Sequence, residues 1–221
     1  MQYLYSKLAG ERNIVLENDE YRYLAKVRRV KKSEKIPLRN LQDDKLYIYE
    51  ISQIGKKSIT LNLKEEKSSV VASKRYFHLG WCVIEPKNIQ KTLPSLNEIG
   101  VSKISFIYCQ RSQKNYKIDL EKLQKILINS SQQSGRSKMM KLEVFGSLEE
   151  FLSSYPDSFM LNFSEKKLEK SLELESVIVG CEGGFSQEEI SLFEQRVVGL
   201  DTSLILQSQT ATIATASIML L

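Results

Sequence analysis

From residue 76 onward, short apolar runs alternate with stretches of helical periodicity, and this alternation constrains the fold more than any other feature of the chain. YFHLGWCVI (76–84), KISFIYC (103–109), SFMLNF (158–163), SVIVG (176–180) and SLILQS (203–208) have the length and near-continuous hydrophobicity of parallel strands buried on both faces. Between them, DLEKLQKILINSSQQSGR keeps Leu120, Leu123, Ile126 and Leu127 at helical spacing behind an Asp119 cap, with Gly135 as its stop. Ser186-Gln187-Glu188-Glu189 is a capping box opening a helix through about Val197, and a last apolar helix covers about 209–221. A helix over 88–99 has to accommodate Pro94. Strands separated by helices predict an α/β domain with a parallel sheet.

The first 70 residues follow another rule. LYIYEISQI (46–54) and SITLNL (58–63) are rich in β-branched and aromatic residues and flank the turn Gly55-Lys56-Lys57, while DEYRYLAKVRR (19–29) reads as one short helix behind an Asp19 cap. Several strands with little helix predict a small β-barrel. The polar KEEKSS (64–69) breaks the strand pattern, which puts a domain boundary close to it and divides the chain into residues 1–70 and 71–221.

Charge divides in the same place. Residues 1–75 carry seventeen Lys and Arg against ten Asp and Glu, whereas the remainder is slightly acidic and the whole chain is +5. The densest run, AKVRRVKKSEK, holds Lys26, Arg28, Arg29, Lys31 and Lys32. It is either a solvated basic face or a contact for a polyanion, and the asymmetry between the halves favours RNA.

Several classes lose their raw material. With 42% hydrophobic and 27% charged residues the composition is that of a globular protein, and no apolar run approaches the roughly 20 residues that span a bilayer. Charges in MQYLYSKLAGERN stand where a signal peptide needs its apolar stretch, so a cytoplasmic protein is expected. Cys82, Cys109 and Cys181 show no CxxC spacing, which argues against disulfides and against a metal site. The single histidine, His78, lies in an apolar strand and reads as a packed core residue. There is no GxGxxG after a strand, no P-loop and no GxSxG elbow.

What remains is VIVGCEGGFSQEEI (177–190), a buried strand running through Gly180, Gly183 and Gly184 into a capped helix. Glycines allow a sharp turn and close backbone approach, and strand ends in α/β sheets are where ligands bind. LILQSQTATIATA (204–216) repeats the pattern of strand, polar turn and helix. Arg111 and Arg136 lie at a strand end and after a helix, so the two cations and two loops could form one RNA-facing pocket.

GCEGGFSQEEI resembles the G-P-E-G-G-F/L-S-x-x-E-I signature of the bacterial 16S rRNA (uracil-N3)-methyltransferases, members of the SPOUT, trefoil-knotted class. QQSGR (132–136) is similar to the family's E-Q-S/C-G-R, QRS (110–112) to its E-R-S, EIGV (98–101) to its E-L-G-V, and LILQSQTA (204–211) to its R-I/V-L-R-T-E-T-A. VRR (27–29) falls where the family has V-L-R, and the order holds over nearly the whole chain.

The resemblance implies a PUA-like β-barrel for RNA followed by a SPOUT α/β domain with a C-terminal knot, S-adenosylmethionine as cofactor, 16S rRNA or the 30S subunit as partner, and a homodimer. The apolar final helix is compatible with such an interface and equally with a core element. Carried over by position, the cofactor is held largely by backbone of Leu161, Asn162 and Phe163, of Gly180, Cys181, Glu182, Gly183 and Gly184, and of Ser203, Leu204, Ile205, Leu206 and Gln207 with Thr210 and Ala211. Arg111 and Arg136 are the candidates for holding phosphate or developing negative charge. Glu182 is either a base or a carboxylate that braces the glycine turn.

The sequence departs from the family at Cys181 (Pro), Gln110, Gln132 and Gln209 (each Glu), Leu204 and Gln207 (each Arg) and Thr202 (Gly). Three carboxylates and two arginines have become neutral. That is the pattern of a weakened enzyme, of one that balances its losses internally, or of a degenerate knot that binds ribosomal RNA without methyl transfer.

Overall fold

The computed structural model describes residues 2–221, which form two compact units: residues 2–72 with Ile128–Met139, and Ser73–Leu127 with Met140–Leu221. In the first unit, β1 (Leu4–Tyr5), β2 (Asn13–Glu17), β3 (Lys35–Arg39), β4 (Lys45–Ile54) and β5 (Ser58–Ser68) make a sheet in the order β1-β3-β4-β5-β2. All pairings are antiparallel except β1 with β3. Alternate residues (Ile14 and Leu16, Ile36 and Leu38, Tyr49 and Ile51, Ile59 and Leu61) face one core, the period-two pattern of a sheet covered on one side. Irregular register at Ile48/Tyr49 and Ile51/Gln53 curls the sheet over that core.

Two local expectations are corrected here. KEEKSS does not break the strand: β5 runs on to Ser68, paired with Lys45–Ile48, because charges of both signs suit an exposed strand end, with Lys45 3.2 Å from Glu66. Nor does Asp19 cap the helix. Glu17 occupies that position without a side-chain bond, α1 (Asn18–Arg22) is short, and the chain continues as a π-helical turn over Tyr23–Arg28 that ends at Arg29 in a left-handed conformation. Asp19 instead pairs with Arg22 at 3.6 Å.

In the second unit six parallel strands lie in the order β11-β9-β10-β6-β7-β8, formed by β6 (His78–Cys82), β7 (Lys103–Ile107), β8 (Lys141–Phe145), β9 (Phe159–Leu161), β10 (Ser176–Val179) and β11 (Val197–Val198). Every residue of β6 and β7 is buried, as continuous apolar runs at the centre of a parallel sheet require. The helices are α2 (Pro86–Ile99), α3 (Leu120–Ser134), α4 (Leu148–Ser154), α5 (Gln187–Ser191) and α6 (Ser208–Leu220). Pro94 sits inside α2 without ending it. Asp119 accepts from the Lys122 amide and caps α3, whose stop is Gly135 at φ +82°. The helix α3 begins in the second unit and ends in the first.

Three expectations fail in this unit. SLILQS is not a strand: Ser203–Gln207 is loop, with Leu204 and Ile205 71% and 85% exposed, and only Ser208 enters α6. The helix begun by the Ser186 capping box stops at Ser191, freeing Val197–Val198 to pair with β9. Cys82 and Cys109, expected as separate thiols, are joined in a disulfide, because β6 and β7 are neighbours and bring residues 27 apart in sequence side by side. Cys181 remains a free, buried thiol. His78 is a core residue as expected, 2% exposed, with Nε2 2.8 Å from Ser105 Oγ and its ring packed on Phe151 and Tyr155.

Candidate functional site

The strands β9 and β10 are parallel with Leu161 registered against Val179, so the segments that follow them leave the same edge of the sheet. After β10 the chain makes a tight glycine turn. The Gly184 amide donates to the Cys181 carbonyl at 2.9 Å, and Gly184 takes φ +65°, a conformation that favours glycine. The turn feeds straight into the capping box: Ser186 Oγ accepts from the Glu189 amide, and the Glu189 carboxylate accepts from the Ser186 amide.

Two side chains, Arg111 and Ser208, clasp this turn from outside it, and Glu189 ties down the helix start that follows it. Arg111 donates to the Gly183 carbonyl at 2.7 Å. The buried Glu189 carboxylate also accepts from the Gln110 amide at 2.8 Å, tying the segment after β7 to the start of α5. Ser208, first residue of α6, donates to the Gly180 carbonyl at 2.5 Å and accepts from the Trp81 indole at 3.0 Å. The segment 203–207, which leads into Ser208, is thereby tied to the glycine turn.

Of the residues expected at the site, the structure brings Gly180, Cys181, Gly183 and Gly184 together with Arg111 and with the start of α6. Cys181 is buried with Sγ 3.6 Å from the Gly184 carbonyl, and burial pushes its thiol pKa up. Glu182 is exposed on the turn, and the carboxylate that receives the neighbouring amides is Glu189. Asn162 donates its amide to Val198, and Phe163 beyond it is 84% exposed. Thr210 is exposed and Ala211 is buried in the first turn of α6.

Arg136 does not belong to the unit that carries this turn. It belongs to the first unit, buried, with Nε donating to the Lys138 carbonyl and its own carbonyl accepting from Tyr3, and burial brings its pKa down to about 10. Lys26, Arg28, Arg29, Lys31 and Lys32 are all exposed on the π-helical turn and the loop after it, anchored beneath by buried Leu24 and Val30. Arg28 lies 3.7 Å from the Glu34 carboxylate, which also accepts from the Lys31 amide at 3.0 Å.

The glutamine replacements each find a hydrogen-bond partner. Gln110 Nε2 donates to Glu188, Gln132 Oε1 accepts from the Tyr5 amide, and Gln209 donates to Gln207 at 2.6 Å. Sequence reasoning missed Trp81 and Ser208, and it did not foresee that Glu189 reaches back to Gln110. A serine or tryptophan in an apolar stretch carries no mark of the distant carbonyl it serves.

Among the described residues no group of three or more His, Cys, Asp or Glu is placed to hold a metal, and no helix is long and apolar enough to cross a membrane.

Residues 72–220 match the family model for an RNA methyltransferase domain, and residues 16–64 match that for an RNA methyltransferase PUA domain. Two Helicobacter pylori proteins named ribosomal RNA small subunit methyltransferase E are 43% and 41% identical to this chain, over 99% of both chains in each case. The Neisseria gonorrhoeae enzyme of that name, solved bound to S-adenosylmethionine, superposes with a TM-score of 0.83 at 20% identity, covering 99% of this chain and 96% of its own. A Legionella pneumophila protein solved with the same cofactor gives the same score and coverage at 22% identity. On full-length identity and matching domain models, the chain belongs to the ribosomal RNA small subunit methyltransferase E family.

Proposed function

We propose that the protein transfers a methyl group from S-adenosylmethionine to N3 of a uridine in 16S rRNA, acting in the cytoplasm on the 30S subunit. In this reading residues 1–70 form a PUA-like barrel that binds RNA, residues 71–221 the knotted catalytic domain, and two copies complete the enzyme. The observation that carries it is the glycine turn clasped by Arg111 and Ser208 at the edge where β9 and β10 end.

The residues present fit the cofactor. Gly184 has open space where a side chain would stand. Phe163, Leu204 and Ile205 expose apolar surface on the segments expected to flank an adenosine. Leu161–Phe163, Gly180–Gly184, Ser203–Gln207, Thr210 and Ala211 would hold it, mostly through backbone, which tolerates the neutral replacements in this chain. When bound, S-adenosylmethionine supplies a methyl group on a positively charged sulfur.

The chain's own residues have the remaining work. A uridine N3–H is weakly acidic, so its proton must be removed or the anion stabilised as the methyl transfers. In this reading Glu182, exposed on the turn, takes the proton, and Arg111 is the cation that grips the same turn at its next residue, Gly183. Arg136, buried in the first unit, is the candidate for holding RNA phosphate. A uridine within folded RNA has to be splayed out of its stack to reach such a site. The exposed apolar side chains also favour a second copy as their cover.

The test is incubation of purified protein with methyl-labelled S-adenosylmethionine and 30S subunits lacking the modification, followed by nucleoside digestion and mass spectrometry. N3-methyluridine is the expected product. Binding of 30S without methyl transfer would instead favour a degenerate knot. The basic run makes a separate prediction: with Lys31 and Lys32 both changed to Gln, RNA affinity falls, and its dependence on log salt becomes shallower by about one for each phosphate that is no longer neutralised. An unchanged salt slope would remove this run from the RNA interface.

A further inference from the structure

We propose that Ser208 is a positioning residue of the cofactor site, fixing the spacing between the glycine turn and the segment 203–207 through the Gly180 carbonyl, with Trp81 holding its hydroxyl in that direction. The inference rests on the reading above that these two segments hold S-adenosylmethionine.

The geometry is a closed circuit within the second unit. Trp81 and Val179 are registered partners on β6 and β10, and Gly180 follows Val179 directly. Ser208 returns from the start of α6 to close the loop, donating to Gly180 O at 2.5 Å and accepting from Trp81 Nε1 at 3.0 Å. Trp81 and Ser208 are buried, so water does not substitute for either bond. An indole N–H can only donate and a carbonyl can only accept; a group between them must do both, which a hydroxyl does and an aliphatic side chain does not. The direction of each bond is therefore fixed.

The circuit acts on more than stability because of what Gly180 and Ser208 each lead into. The Gly180 carbonyl sets the plane of the peptide entering Cys181, whose own carbonyl receives the Gly184 amide and closes the turn. On the other side, the Ser208 carbonyl accepts from Thr212 Oγ1 at 2.7 Å, so the first turn of α6 is locked to the same serine. One hydroxyl thus joins two cofactor segments through residues 28 positions apart in sequence.

Threonine and valine at position 208 have the same shape and differ by the hydroxyl, which makes them the discriminating pair; Ser208→Ala is a third variant that adds no bulk. S-adenosylmethionine affinity is measured by calorimetry on the full chain, alongside the KM for each substrate and the thermal midpoint. Ser208→Thr is expected to bind within about threefold of the parent. Ser208→Val and Ser208→Ala should bind roughly tenfold or more weakly, the scale of an unpaired buried donor and acceptor, with the KM for RNA unmoved. A purely structural serine would lower the midpoint and leave affinity unchanged well below it, and that result overturns the proposal. So does equal loss in the Thr and Val variants, which would assign the effect to bulk. Gly183→Val separates the two levels of inference. If it loses the cofactor while Ser208→Val and Ser208→Ala keep it, the role of Ser208 falls; if Gly183→Val itself binds normally, the loop assignment falls.

Discussion

Gly183→Val is expected to weaken S-adenosylmethionine binding by at least about a hundredfold, equivalent to roughly 3 kcal/mol. The reason is close approach, not backbone strain, since Gly183 is not among the residues with positive φ. A Cβ at this position would stand 3.3 Å from Arg111 Cβ and 3.5 Å from its Cδ, already tight before the two methyl groups of valine are added. The Arg111 stem can retreat, but only by surrendering the bond from its guanidinium to the Gly183 carbonyl. Either the turn or its clasp must move. The capping box and the Glu189 contact to Gln110 lie beyond the substitution and should hold α5 in place, so the thermal midpoint should shift far less than the affinity. Calorimetric titration of the variant with the cofactor is the measurement, and unchanged affinity would refute the assignment of this turn to cofactor binding.

The second large effect is on stability. His78 is buried, and burial together with the charge of Lys103 lowers its pKa from 6.5 to about 4, with Glu143 opposing. The unfolded chain therefore takes up a proton as pH falls through 6.5, while the folded chain stays neutral until about 4. Stability is complete above pH 6.5 and is lost below it, by about 2 kcal/mol at pH 5 and about 3 kcal/mol at pH 4. Around the ring, Lys103 lies 2.7 Å from Glu143, Tyr155 donates to Glu143 at 3.0 Å, and Lys103 also contacts the Tyr155 hydroxyl. Burial raises the Glu143 pKa, but its bonds from Lys103 and Tyr155 more than offset this and leave it lowered, so its contribution is complete above the ordinary glutamate pKa and is lost as pH falls through and below that value. Between pH 6.5 and 5 the histidine acts alone within this cluster. Urea unfolding across that interval should show the decline in the parent and a flatter profile in His78→Gln, whose amide can still pair with Ser105. Parallel profiles would assign the acid sensitivity to other groups.

How far the sequence revealed this molecule depended on whether a signal was local. β6 and β7 were legible because residues buried on both faces leave an uninterrupted apolar run. The same rule misread Leu204-Ile205-Leu206, since hydrophobicity does not say whether the chain's own core covers it, and here Leu204 and Ile205 are largely exposed. KEEKSS failed in the opposite sense: charges argue against a buried strand, yet an exposed strand end carries them without cost. At the candidate site the glycine turn and its Ser186–Glu189 box were readable because both are short-range. The disulfide between Cys82 and Cys109, the Trp81–Ser208–Gly180 circuit and the burial of Arg136 beside Tyr3 all depend on pairings distant in sequence. No spacing rule encodes those.

The first compact unit is not a continuous piece of chain, and this limits its modularity. Its front segment relies on residues 128–139: the Gln2 amide donates to the Gln132 carbonyl, Tyr3 to the Arg136 carbonyl and the Tyr5 amide to the Gln132 side chain, and Asp44 receives Ser137 and Lys138. A gene fragment ending at residue 72 would encode every strand of the sheet and still lack these partners. Recombination that moved the front end alone onto another enzyme would leave Tyr3 and Asp44 unsatisfied. The front sheet and residues 128–139 are thus bound to be inherited together.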